Sequence, residues 1–122
     1  MALPILAAGL CLDREPGAPW VWFQKPGQNP VFIDPTSLRD ENGEKVIRLL
    51  DTAETSGTSD VWIDISFACA KQRAWMIRLT VVKNGKAGKV TEIAEQDRMP
   101  MKLDDPLAKR LLNFVCDGKP LT

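Results

Sequence analysis

The sequence has no histidine and no tyrosine, and its 16 Lys and Arg are balanced by 16 Asp and Glu. Without His the commonest general base, the usual catalytic zinc ligands and every Ser-His or Cys-His nucleophile pair are gone. Without Tyr a further proton donor is gone. Ser37 therefore has no base to activate it. No cluster of metal-ligand types occurs, "GKAGK" lacks P-loop spacing, and no cofactor is expected. A neutral chain also lacks the basic excess of a nucleic-acid binder, so that partner class is not expected. The reading is of a protein that is not an enzyme.

Long apolar runs are missing too. Leu3 to Leu12 is the longest, too short to span a membrane and close to the core of a secretion signal. No basic flank precedes it, and the first charge is Asp13. One reading is a truncated or atypical export signal whose start lies upstream of Met1; the other is an ordinary buried N-terminal segment. Leu10 stands where a lipoprotein needs a small residue before Cys11. Residues 1–18 are accordingly set apart as signal-like or poorly ordered, and 19–122 as a single domain, since 122 residues can bury a core.

What is present reads mostly as strands. "PWVWFQ" (19–24) and "VFID" (31–34) alternate and form a hairpin across "KPGQNP". "DPTSL" resembles a capped helical turn, with Asp34 as cap and Pro35 in the first position. "ENGE" is a loop with Asn-Gly, "KVIRLLDTA" (45–53) a third strand, and "ETSGTSD" (54–60) a polar loop. In the next strand Val61, Ile63, Ile65, Phe67 and Cys69 share one face, opposite Trp62, Asp64, Ser66, Ala68 and Ala70. "KQR" turns the chain into a strand on which Trp75, Ile77, Leu79 and Val81 alternate. Asn84-Gly85 signals a hairpin, and "VTEIAE" (90–95) reads as a sixth strand. The end changes period: "DDPLAKRLLNFVCDG" (104–118) has an acidic cap pair, Pro106 just inside and Gly118 just past the end. Ala108, Leu111, Leu112, Val115 and Cys116 share its apolar face. The expected fold is α+β, an antiparallel sheet of about six strands with the C-terminal helix on one face.

Cys69 then sits on the apolar row of its strand and Cys116 on the apolar stripe of the helix. A strand-to-helix disulfide is the expectation. It closes a loop that limits the unfolded chain by about 4 kcal/mol, and it calls for an oxidising compartment. Two separately buried thiols are the alternative. A redox site lacks its Cys-x-x-Cys.

"VFIDPTSL", the strand running through "FACAKQRAWMIRL", the "KNGKAGKV" hairpin and the closing "LLNFVC" together resemble the bacterial surface-adhesin protein E family, over roughly residues 19–118. The resemblance implies a six-stranded antiparallel sheet, a helix held to its concave face by the cysteine pair, and export. It also implies adhesin-like binding of host matrix or serum proteins, with haem binding and dimerisation as further family properties. The family's strand tyrosines are absent, and "DRMPMKLDDP" replaces its Trp- and Pro-rich run. With neither His nor Tyr, no haem ligand is expected.

Two candidate surfaces remain. Residues 65–91 hold Lys71, Arg73, Arg78, Lys83, Lys86 and Lys89 with no acid, while residues 34–64 hold eight acids against three bases. Lys83, Lys86 and Lys89 would form a basic hairpin tip for an acidic partner; lysines guarding a sheet edge are the plainer reading. Trp20, Trp22, Trp62 and Trp75 would form a recognition surface or fill the core. Trp62 is the best candidate, because its face, with Asp64 and Ser66, reads as the wetter one. Asp104 and Asp105 are read as helix caps. The expected function is that of an exported, non-enzymatic binding protein, in the periplasm or on the outer cell surface, with no transmembrane span. Its partner is a host matrix or envelope protein. A small periplasmic inhibitor or accessory protein is the alternative. Edge pairing of the sheet would permit a homodimer.

Overall fold

A computed structural model describes residues 20–22, 31–52 and 59–121. The N-terminal 1–18 segment, the 25–30 turn and most of the 54–60 loop lie outside the described residues. Among the described residues six strands pair in chain order as an antiparallel meander. They are β1 (Val21–Trp22), β2 (Val31–Glu41), β3 (Glu44–Thr52), β4 (Ser59–Ala68), β5 (Arg73–Lys83) and β6 (Lys86–Glu92). Five of these are full strands. Among the described residues the strand expected over 19–24 contributes the two residues of β1, so a count of six overstates what builds the sheet.

Two of the turns follow directly from their sequences. Asn42-Gly43 and Asn84-Gly85 all have positive φ (53°, 83°, 51° and 77°). A two-residue hairpin loop needs this to match the strand twist, and Asn-Gly supplies it at least cost. The turn is therefore the Asn84-Gly85 pair alone, and β6 runs Lys86–Glu92 where the sixth strand was expected over 90–95.

The helical turn expected at "DPTSL" is not formed; β2 continues through it as a bulge, with register lost between Asp34 and Arg39. Local hydrogen bonds account for this. The Asp34 carboxylate accepts from the Thr36 N–H at 2.9 Å and from its hydroxyl at 2.6 Å. Ser37 Oγ donates to the Asp34 carbonyl and accepts the Arg48 N–H at 2.8 Å. The Ser37 hydroxyl thus takes up a β3 donor where the ladder is interrupted.

The helix, α1 (Pro106–Asp117), ends as its sequence dictates. Asp105 is the N-cap, its carboxylate accepting from the Ala108 N–H at 3.3 Å. Gly118 at φ 70° closes the other end, its N–H and that of Lys119 bonding back to Phe114 and Asn113. The helix lies over β3 and β4. Leu111, Leu112 and Val115 pack with Ile33, Ile47, Leu49, Ile65 and Phe67 in one core. Burying each such side chain is worth roughly 1.5–3 kcal/mol. Leu121 joins this core, held by Arg110, whose guanidinium donates to the Leu121 carbonyl.

Cys69 and Cys116 are bonded, with Cα atoms 5.6 Å apart, tying α1 to the end of β4. Cys69 is not in the strand as expected. It opens a short 3₁₀ turn, Cys69–Lys71, closed by Gln72 at φ 52°. The face expected for Trp75, Ile77, Leu79 and Val81 is also broken. A register shift between Asp64 and Ile65 pairs Leu79 with Ile63 but Trp75 with Ser66, so Trp75 lies on the face opposite Leu79. Periodicity cannot reveal a bulge, because one extra residue inverts every side chain beyond it.

Candidate binding surface

The face of the sheet away from α1 is organised around Asp64. It stands opposite Arg48 on β3 and Arg78 on β5. The β2 bulge brings Arg39 onto the same face. Asp64 is only 1% exposed and accepts from all three arginines: Arg48 Nε at 2.8 Å and Nη2 at 3.1 Å, Arg78 Nη1 at 2.8 Å, and Arg39 Nη2 at 3.2 Å. Arg78 also donates to Glu41 at 2.7 Å and Glu92 at 2.6 Å, and Arg39 to Glu41 at 3.1 Å. Ser66, buried beside Asp64, donates to Glu44. The expectation that this is the wetter face is therefore wrong at its centre, where Asp64, Ser66 and Thr80 are buried.

Electrostatics fixes the charge state of this cluster. Burial works to raise the Asp64 carboxyl, but hydrogen bonds from Arg48 and Arg78, with the charges of Arg48 and Arg39, outweigh it and hold it below its usual range. The hydrogen bond from Arg78 likewise holds Glu41 down against burial, helped by the charges of Arg78 and Arg39. Hydrogen bonds to Glu41 and Glu92 push Arg78 further up. Asp64 is thus ionised with both oxygens occupied, and the guanidinium groups are already engaged by acids. Such a cluster fixes strand register across β2 to β6. It is poorly suited to trading protons or receiving an external anion.

Trp62 lies on this face, two residues from Asp64, half-buried, with the Arg48 guanidinium 4.6 Å from its ring centroid. The same arginine that clamps Asp64 covers the indole. Lys83, Lys86 and Lys89 are elsewhere. Lys83 and Lys86 face each other across the β5–β6 turn, one residue beyond the Val82–Ala87 pair, and so on the opposite side of the pleat from Thr80 and Trp62. All three lysines are exposed, and none joins an ion pair among the described residues. The structure does not bring Trp62 and the lysine trio together on one face.

Two buried polar atoms among the described residues have no hydrogen-bond partner, Trp75 Nε1 and Asp51 Oδ1. Burial, with the charge of Asp60, raises the Asp51 carboxyl. Among the described residues no cluster of three metal-ligating side chains occurs, and no helix is long and apolar enough to cross a membrane.

Sequence reasoning missed the Asp64 cluster. A signal was present: an Asp inside a strand, with an Arg inside the strand on each side. Reading it requires the pairing registers, which depend on bulges. No family model, curated protein or solved structure matches the chain.

Proposed function

We propose that this is an exported, non-enzymatic binding protein, of the surface-adhesin kind that its resemblance to the protein E family implies, which docks a protein partner at the periplasm or outer cell surface. The observation that carries this reading is the Cys69–Cys116 bond, which staples helix to sheet and is of a type that persists in oxidising compartments. The disposition of charge supports the binding role. Arg39, Arg48 and Arg78 are engaged by acids within the fold, while Lys83, Lys86 and Lys89 stand exposed on the β5–β6 hairpin. Unengaged cations on a rigid turn steer an acidic partner without first breaking internal ion pairs.

The test is fractionation of the source cells, with capture from host matrix and from the cell envelope by wild-type protein and a K83E/K86E/K89E variant. Surface exposure, with a partner lost in the variant, supports the adhesin reading. A purely periplasmic pool with an envelope enzyme as partner favours the inhibitor or accessory role. Cytosolic residence with reduced cysteines overturns both.

A further inference from the structure

We propose that the outer edge of β6 accepts an extended segment of another protein as an added strand, and that this segment carries acidic residues for the lysine trio and an apolar residue for Val90. The inference rests on the binding-protein reading above and names its site and the chemistry of its partner. Three independent features coincide at this edge.

The first is the backbone. β6 is last in the sheet order, and each of its residues from Lys86 to Glu92 is exposed. The Ile93 N–H bonds to the Ile77 carbonyl at 2.9 Å, in the same register that pairs Thr91 with Leu79. Backbone groups alternate along a strand, so Thr91 and Ile93 turn theirs toward β5, while Val90 and Glu92 turn theirs outward. Those outward groups are the template for strand addition.

The second is apolar surface. The large hydrophobic side chains exposed among the described residues are Met76 at 41%, Val90 at 51% and Met99 at 80%. Met76 is on β5, Val90 on β6, and Met99 adjoins Pro100, which bridges to Trp75 of β5. Met76 pairs with Ile65 on the α1 side, beyond the end of the β5–β6 ladder, while Val90 alone of the three is on the edge strand, on the Thr80 side of the sheet. An edge protected only against aggregation would carry charge there instead.

The third is charge. Lys83 and Lys86 are directly opposite each other, an unfavourable arrangement of like charges that is relieved when an anion lies between them. Lys89 extends the same charge along the edge. A polysaccharide or a membrane surface would use the lysines alone; an extended acidic segment uses all three features.

The probe is a short capped peptide alternating Glu and Val, titrated at about 0.15 M salt. Wild-type protein should bind it, and the Val90 and Glu92 amides should become protected from hydrogen exchange on saturation. K83E/K86E/K89E should weaken binding by about tenfold or more. Val90→Pro removes an outward N–H, keeps every lysine and leaves the β5 ladder intact, and should weaken binding comparably. Unchanged exchange at Val90 and Glu92 with peptide bound overturns the inference, and that measurement needs no variant. So does a folded Val90→Pro protein that binds normally, heparin or anionic vesicles being bound where the peptide is not, or a self-association that Val90→Pro abolishes. If the captured natural partner depends on the lysines but not on Val90, the binding-protein reading stands and the strand-addition inference falls.

Discussion

Replacing Asp64 by Ala tests how the arginine face holds the sheet together. The carboxylate accepts four hydrogen bonds from three guanidinium groups and is 1% exposed. Hydrogen bonds to charged groups are worth about 1.5–3 kcal/mol each, but the four share one acceptor and do not add. Removing one partner of a buried ion pair costs about 3–5 kcal/mol, because the remaining charge is left uncompensated. Here the side chains of Arg39, Arg48 and Arg78 keep 35%, 28% and 19% exposure, so water recovers part of that cost. We expect Asp64→Ala to lose about 3 kcal/mol, a large share of a typical stability of roughly 5–15 kcal/mol. Asp64→Asn should lose about 2 kcal/mol, since its amide turns donors toward donors. Urea unfolding followed by tryptophan emission measures both, and Trp62 beneath Arg48 should also report the local change. A loss below about 1 kcal/mol for Asp64→Ala, with the denaturant slope unchanged, would refute the reasoning.

Reduction of the disulfide, which spans 47 residues, should lower stability by about 4 kcal/mol on the loop-entropy estimate, read from urea curves with and without reductant. Asp51→Asn should stabilise the protein at neutral pH by about 1 kcal/mol or less, because it removes a raised, unpartnered carboxylate. The wild-type protein binds an extra proton there when folded, so the gain should vanish below the ordinary Asp value of 3.8. Asp64 and Glu41 work in the opposite sense. Their stabilisation is complete above the ordinary values of 3.8 and 4.5 and is lost as pH falls through their lower folded values. Acid unfolding of the wild type should therefore be steeper than that of Asp64→Asn.

Much of the architecture was legible from residue pattern. The apolar row Ile63, Ile65 and Phe67, the stripe Leu111, Leu112 and Val115, and the Asp105, Pro106 and Gly118 ends are all where local periodicity and capping place them. The two Asn-Gly hairpins are legible for the same reason, since each depends on two residues alone. What escaped depends on partners distant in sequence. Ser37 holds a bulge open only because the Arg48 N–H of another strand reaches it. Trp75 changes face because β5 slips by one residue against β4. Asp64 was set on a wet face by alternation, which cannot register that three arginines from three other strands converge on it. Charge segregated along the chain is paired in space: Arg78, counted in the basic stretch, is bound to acids from β2, β4 and β6.

The most direct test of an exported, stapled binding protein is peptide mapping of unreduced protein recovered from its native cells, with free thiols blocked at lysis. The account predicts that the peptides containing Cys69 and Cys116 are recovered joined, and that the protein is found outside the cytosol. Recovery of both cysteines blocked as free thiols would contradict it.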